Sequence, residues 1–122
     1  MSVAADIAVV IVALLHVSFM VLEIFLWDKP AGLKAFGQSR EAAKATKVLA
    51  ANQGLYNGFL AAGLIWGVIL GSSGTNITLF FLSCVIVAGI FGAVTANVKI
   101  LFIQAGPGLA GLVLVLLSLG VE

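Results

Sequence analysis

The stretch VAADIAVVIVALLHVSFMVLEIFLW, residues 3–27, decides the fold. Only Asp6, His16 and Glu23 within it can ionise, and about 20 residues at 1.5 Å rise suffice to cross a hydrocarbon core of about 30 Å. Three more apolar runs follow, at 48–70, 77–96 and 100–120, and the four use up nearly all of the 122 residues. With 62% apolar residues against 9% charged ones, the chain has too little polar surface to cover a water-soluble globule of this size. The expectation is therefore an all-α, four-transmembrane-helix bundle forming one integral membrane domain over residues 1–122, with no room for a soluble catalytic domain. The first run has no basic stretch ahead of it and no small-x-small cleavage site behind it, so it reads as a retained helix and not as a signal peptide.

Charge sets the expected orientation. Lys29, Lys34, Arg40, Lys44 and Lys47 all lie between the first two runs, and Lys99 lies between the last two. The connection 71–76 and both chain ends carry no Lys or Arg. Under the positive-inside rule the first and third connections face the cytoplasm, and both termini are outside. A net charge of +1 gives no footprint for nucleic acid, and the basic residues read as anchors against an anionic leaflet. The lone Cys84 falls inside the third run, where a small soft side chain is ordinary packing material.

Punctuation along the chain supports this division. Pro30 breaks the first helix, and Ser39 is placed to cap a helix that starts near Arg40 and runs on into the second span. Pro107 falls inside the fourth run, flanked by Gly106 and Gly108. A helix that began there would be only about 14 residues, roughly 21 Å, long, so a longer, kinked fourth helix is expected. Gly63, Gly67 and Gly71 recur four apart, the interval at which small residues let a second helix backbone approach, within the bundle or from another subunit.

The informative residues are those that do not suit lipid. Asp6 sits at the outer end of its span and reaches water, whereas His16 lies near the midplane and Glu23 about one turn from the cytoplasmic end. Seven positions turn a helix by about 700°, so the two project from one face within about 20°. Ionisable groups at such depth are costly and face the interior of a bundle, which makes them functional candidates. In the second run Asn52, Gln53, Tyr56 and Asn57 share a face about 140° wide. Counted from Trp27 and from Lys47, Glu23 and Asn52 are about 6 and 7.5 Å deep, while His16 and Asn57 are both about 15 to 17 Å deep. Antiparallel helices then set Glu23 against Asn52 and Gln53, and His16 against Tyr56 and Asn57. Thr95, Asn97 and Gln104 fall in the same cytoplasmic half. The outer half is almost wholly apolar, so a polar pocket closed on the far side is expected, and a continuous pore is not.

The run Leu-Ala-Ala-Asn-Gln-Gly-Leu-Tyr-Asn-Gly-Phe-Leu-Ala-Ala-Gly-Leu, Leu49 to Leu64, with His16, Glu23 and Phe25 to Trp27 upstream, resembles the small bacterial membrane proteins grouped as DUF1304. The resemblance spans essentially the full length and implies a multi-pass protein of the bacterial inner membrane, with no activity attached. A fold-level likeness to the four-helix MAPEG enzymes stops at architecture, because the arginines those carry on the second helix are missing here.

Three classes of function remain open on the residues alone. The first is binding, with or without transformation, of a small amphipathic or lipid-like ligand by His16, Glu23, Asn52, Gln53, Tyr56, Asn57 and Gln104, with Glu23 or His16 as the acid or base if there is catalysis. The second is a small proton-coupled transporter of hydrophobic solutes, which the strong charge bias disfavours in its inverted-dimer form. The third is a structural accessory subunit. One His and one deep Glu do not make a metal site, and no cofactor is expected. Membrane lipid and further copies of the chain are the expected partners.

Overall fold

The computed structural model describes residues 1–121; Glu122, the last residue of the expected domain, lies outside the described residues. Every regular element among the described residues is helical. Helix α1 is Val3–Ile24, α2 Pro30–Phe36, α3 Arg40–Ile69, α4 Thr75–Thr95 and α5 Gly106–Val121; a 3-10 turn, Gly71–Gly74, joins α3 to α4, and a π-helical turn, Leu101–Ala105, leads into α5.

The ends of these helices follow from local chemistry. Pro30 opens α2, where its missing N–H is of no consequence. Gly37 closes α2 in the left-handed region, at φ 62°. Ser39 caps α3: its Oγ accepts the Ala42 N–H at 3.1 Å, and its carbonyl accepts the Ala43 N–H at 3.0 Å. The fourth helical segment starts ahead of Pro107, as its length demanded. Because Pro107 cannot donate, the backbone widens to a π turn just before it, and the Gly106 N–H reaches the Leu101 carbonyl.

Among the described residues, three helices are long and apolar enough to cross a membrane: Val3–Ile24, Gly71–Thr95 and Leu101–Gly120. Four were expected. The missing one is α3, a single helix of 30 residues whose first two turns are charged and whose middle carries Asn52, Gln53, Tyr56 and Asn57. These lower its average apolarity below that of the other three. The outward surfaces of all the long helices are nevertheless greasy, with Ile7, Leu14, Trp66, Phe80, Phe91 and Leu117 each more than half exposed. That inversion of the water-soluble pattern marks a membrane protein.

The chain divides into two compact units, Leu15–Phe59 and Met1–Leu14 together with the chain from Leu60 onward. The latter is packed through glycines. A Cβ on Gly63 would run into the Phe81 ring, one on Gly67 into Thr78 and the Gly74 carbonyl, and one on Gly89 would lie 2.6 Å from the Ala105 N and 2.7 Å from its Cβ. Two of the three glycines in the expected stripe therefore serve packing inside this unit. Gly71 does not: it takes φ 64° at the exit from α3, a turn conformation that suits glycine. Leu64, Leu82, Val85 and Val115 fill the rest of this core at 0% exposure.

Candidate functional site

The polar residues of interest collect in the unit Leu15–Phe59. Within it α1 and α3 come close because α3 presents Gly54 and Gly58, one turn apart. A Cβ at Gly54 would stand 2.8 Å from Ile24 Cγ1 and 3.0 Å from Glu23 Cβ, and one at Gly58 would stand 2.8 Å from Met20 Sδ. Such a groove lets the Glu23 side chain lie directly on α3. Glu23 is 2% exposed. One carboxylate oxygen, Oε2, accepts from the Gln53 amide at 2.6 Å, and the other, Oε1, accepts from the Asn57 amide in a very short bond.

Gln53 and Asn57 are four residues apart, hence on one ridge of α3, and their amides grip the two oxygens as a clamp. The two differ in access. Asn57 is buried, whereas Gln53 is exposed, so a single flexible amide separates the Glu23 carboxyl from the surface of the chain. Both donors are neutral carboxamides.

The other expected site residues stand elsewhere. Asn52 is exposed and turns its amide back to the Val48 carbonyl at 2.9 Å. Tyr56 is 60% exposed, with the Phe59 ring 6.1 Å away. A face 140° wide is broader than the ridge one helix offers to another, so Asn52 and Tyr56 fall off its edge, on the outward side of Gln53. His16 is fully buried, edge-on to Phe19 at 5.3 Å. Gln104 belongs to the other unit, half-buried in the π turn. Thr95 and Asn97 are exposed: Thr95 bonds the Phe91 carbonyl at 2.7 Å, and Asn97 Oδ1 accepts the Lys99 N–H at 2.9 Å. The glycine pair that makes the clamp possible was visible as Gly54 and Gly58 in the run from Asn52 to Gly58, at the same four-residue interval as the stripe further along.

Below the clamp the chain is tied down where α1 ends. Trp27 donates its indole N–H to Thr46 Oγ1 at 3.1 Å and packs its ring 4.7 Å from Phe36. Lys47 Nζ sits 3.1 Å from Asp28 Oδ2. The lysine's hydrogen bond, more than any other influence, holds the Asp28 carboxyl below its ordinary range.

The family model described as protein of unknown function (DUF1304) matches residues 10–116, which takes in Glu23, Gln53 and Asn57. The uncharacterized protein YpaA of Lactococcus lactis subsp. lactis (strain IL1403) is 30% identical over 115 residues, covering 93% of this chain and 97% of that relative. No solved structure matches.

Proposed function

The chain belongs to the DUF1304 family of proteins of unknown function, and on that premise we propose that it is a four-span inner-membrane protein that holds the polar head of a small amphipathic molecule at Glu23. The observation that carries this reading is a buried carboxyl whose hydrogen-bond donors are both neutral amides, one of them at the surface. A carboxylate removed from water gains most from a positive charge or a strong donor. An amine or hydroxyl head that displaces the Gln53 amide supplies one. Asn52 and Tyr56, exposed beside Gln53, are then the groups such a head would pass.

The four-span topology is part of the same proposal. Residues 48–69 of α3 contain no charged side chain and extend about 33 Å, and two of the polar groups among them, Gln53 and Asn57, bond to Glu23. If α3 stayed on one side of the membrane, Lys99 would fall on the face opposite the other five basic residues. With α3 crossing, all six share the cytoplasmic face and both termini lie outside, in keeping with the charge rule.

Native mass spectrometry of the gently purified protein, with identification of whatever small amphiphile is retained, tests the binding. The expected result is a bound molecule with an amine or hydroxyl head, released by Glu23→Gln at unchanged fold. Equal retention by both forms, or none by either, would count against Glu23 as the anchor.

A further inference from the structure

A second feature of the unit Leu15–Phe59 is independent of Glu23. Where α1 stops, Asp28, Lys29, Pro30, Arg40 and Lys44 surround a recess of about 370 Å³. Its walls are built and not incidental. The Lys29 N–H bonds the Leu26 carbonyl at 3.0 Å, and the Lys29 carbonyl accepts the Leu33 N–H at 2.9 Å, which fixes the backbone on one side. Gly32 packs against the Leu26 carbonyl so closely that no Cβ would fit. Trp27, pinned to Thr46 and packed at a tilt against Phe36, braces α2 against α3. On the other wall, Arg40 and Lys44 are four apart and share one face of the first turns of α3.

The charge of this recess is unbalanced. Three cations line it against one carboxylate, and that carboxylate, Asp28, is already engaged by Lys47, which is not among the lining residues. Arg40 and the helix start at Ser39 add the positive end of a 30-residue helix to the same wall.

We propose that this recess is a binding site for a phosphate-bearing anion, and that its occupant is the headgroup of an anionic phospholipid. Lys29, Arg40 and Lys44 supply the counter-charge, with the Arg40 guanidinium able to grip two phosphate oxygens at once. A lipid fits better than a free phosphate because exposed apolar side chains stand close along the chain to the lining residues: Phe25 at 65%, three positions before Asp28, and Val48 and Leu49 at 74% and 72%, four and five positions after Lys44. Those surfaces suit acyl chains. Basic pockets at the end of spanning helices are the usual seats of acidic lipid headgroups.

The test uses purified full-length chain in detergent, titrated with phosphatidylglycerol, with phosphatidylcholine and with inorganic phosphate, and read by native mass spectrometry. Phosphatidylglycerol should bind in preference to phosphatidylcholine and resist displacement by millimolar phosphate. Arg40→Gln/Lys44→Gln should weaken phosphatidylglycerol about tenfold or more, Arg40→Lys/Lys44→Arg should retain it, and Lys34→Gln/Lys99→Gln, outside the recess, should leave it unchanged. Equal weakening in the last variant would mean diffuse charge attraction and overturn the site. Ready displacement by inorganic phosphate would overturn the lipid assignment, and equal binding of the two lipids would overturn both. The Glu23→Gln protein should bind phosphatidylglycerol like wild type, which separates this site from the one proposed above.

Discussion

The two units of this chain hold their helices together by different means. From Leu60 onward the contacts are glycine against ring, hydroxyl or backbone: Gly63 on the Phe81 ring, Gly67 on the Thr78 hydroxyl, Gly89 on the Ala105 backbone. Between Leu15 and Phe59 a glycine pair also brings the helices close, but the space it makes is filled by a carboxylate and two amides. Close packing in lipid works through many small dispersion contacts and has no chemistry left over. A buried hydrogen-bonded carboxylate stabilises less uniformly, since its worth depends on every partner staying in place. The first kind of contact is intolerant of added volume; the second is intolerant of volume at Gly54 and Gly58 and, in addition, of any lost donor.

That contrast can be broken by substitution. The largest effect is expected from volume in the glycine-packed unit: Gly89→Leu should lower stability by about 3 kcal/mol, because the Ala105 backbone cannot move aside as a side chain can. Thermal unfolding in detergent, followed by helical circular dichroism, reads this directly. Next comes polarity in the other unit. Asn57→Ala leaves one oxygen of a buried carboxylate without its donor and should lower stability by about 2 to 3 kcal/mol. Gln53→Ala removes the donor to the other oxygen, yet from an exposed position where water or a headgroup can take over, so about 1 kcal/mol is expected. Equal losses at 53 and 57 would contradict the difference in access on which the proposed site depends.

The smallest effect belongs to the exposed Lys47–Asp28 pair. The Asp28 carboxyl titrates below its ordinary 3.8 in the folded chain. Its contribution is therefore complete above that ordinary value and disappears as pH falls through the lowered one. Above about pH 5 Asp28→Asn should lower the melting temperature slightly and by a constant amount, and the difference from wild type should vanish in stronger acid. Solvent screening keeps it small.

Much of this was legible in residue order, and the reasons differ element by element. Ser39 as the start of α3 and the longer helix through Pro107 follow from local backbone chemistry, which acts over a few residues and needs no tertiary information. The meeting of Glu23 with Gln53 follows from rise and antiparallel direction alone. Which neighbours of Gln53 share the contact does not: counting rise set Asn57 against His16, yet its amide bonds Glu23, because side-chain reach blurs depth and rotation is left to packing. Asn57 lies on the ridge that Gly54 and Gly58 press against α1; Asn52 and Tyr56 lie 100° and 60° from Gln53 on the far side and turn outward. The same four polar residues make α3 less apolar than the other long helices, and two of them, Gln53 and Asn57, are bonded to Glu23 on α1.

Solid-state NMR of the protein in bilayers, with 13C-labelled glutamate and 15N-labelled side-chain amides, addresses the Glu23 clamp most directly. The account predicts through-space cross-peaks from the Glu23 carboxyl to both the Gln53 and Asn57 amides in protein stripped of native lipid and reconstituted in synthetic phosphatidylcholine bilayers. On addition of host-membrane lipid extract the Gln53 peak should be lost and the Asn57 peak kept. A carboxyl with no cross-peak to either amide, or a pair of peaks indifferent to the extract, would contradict it.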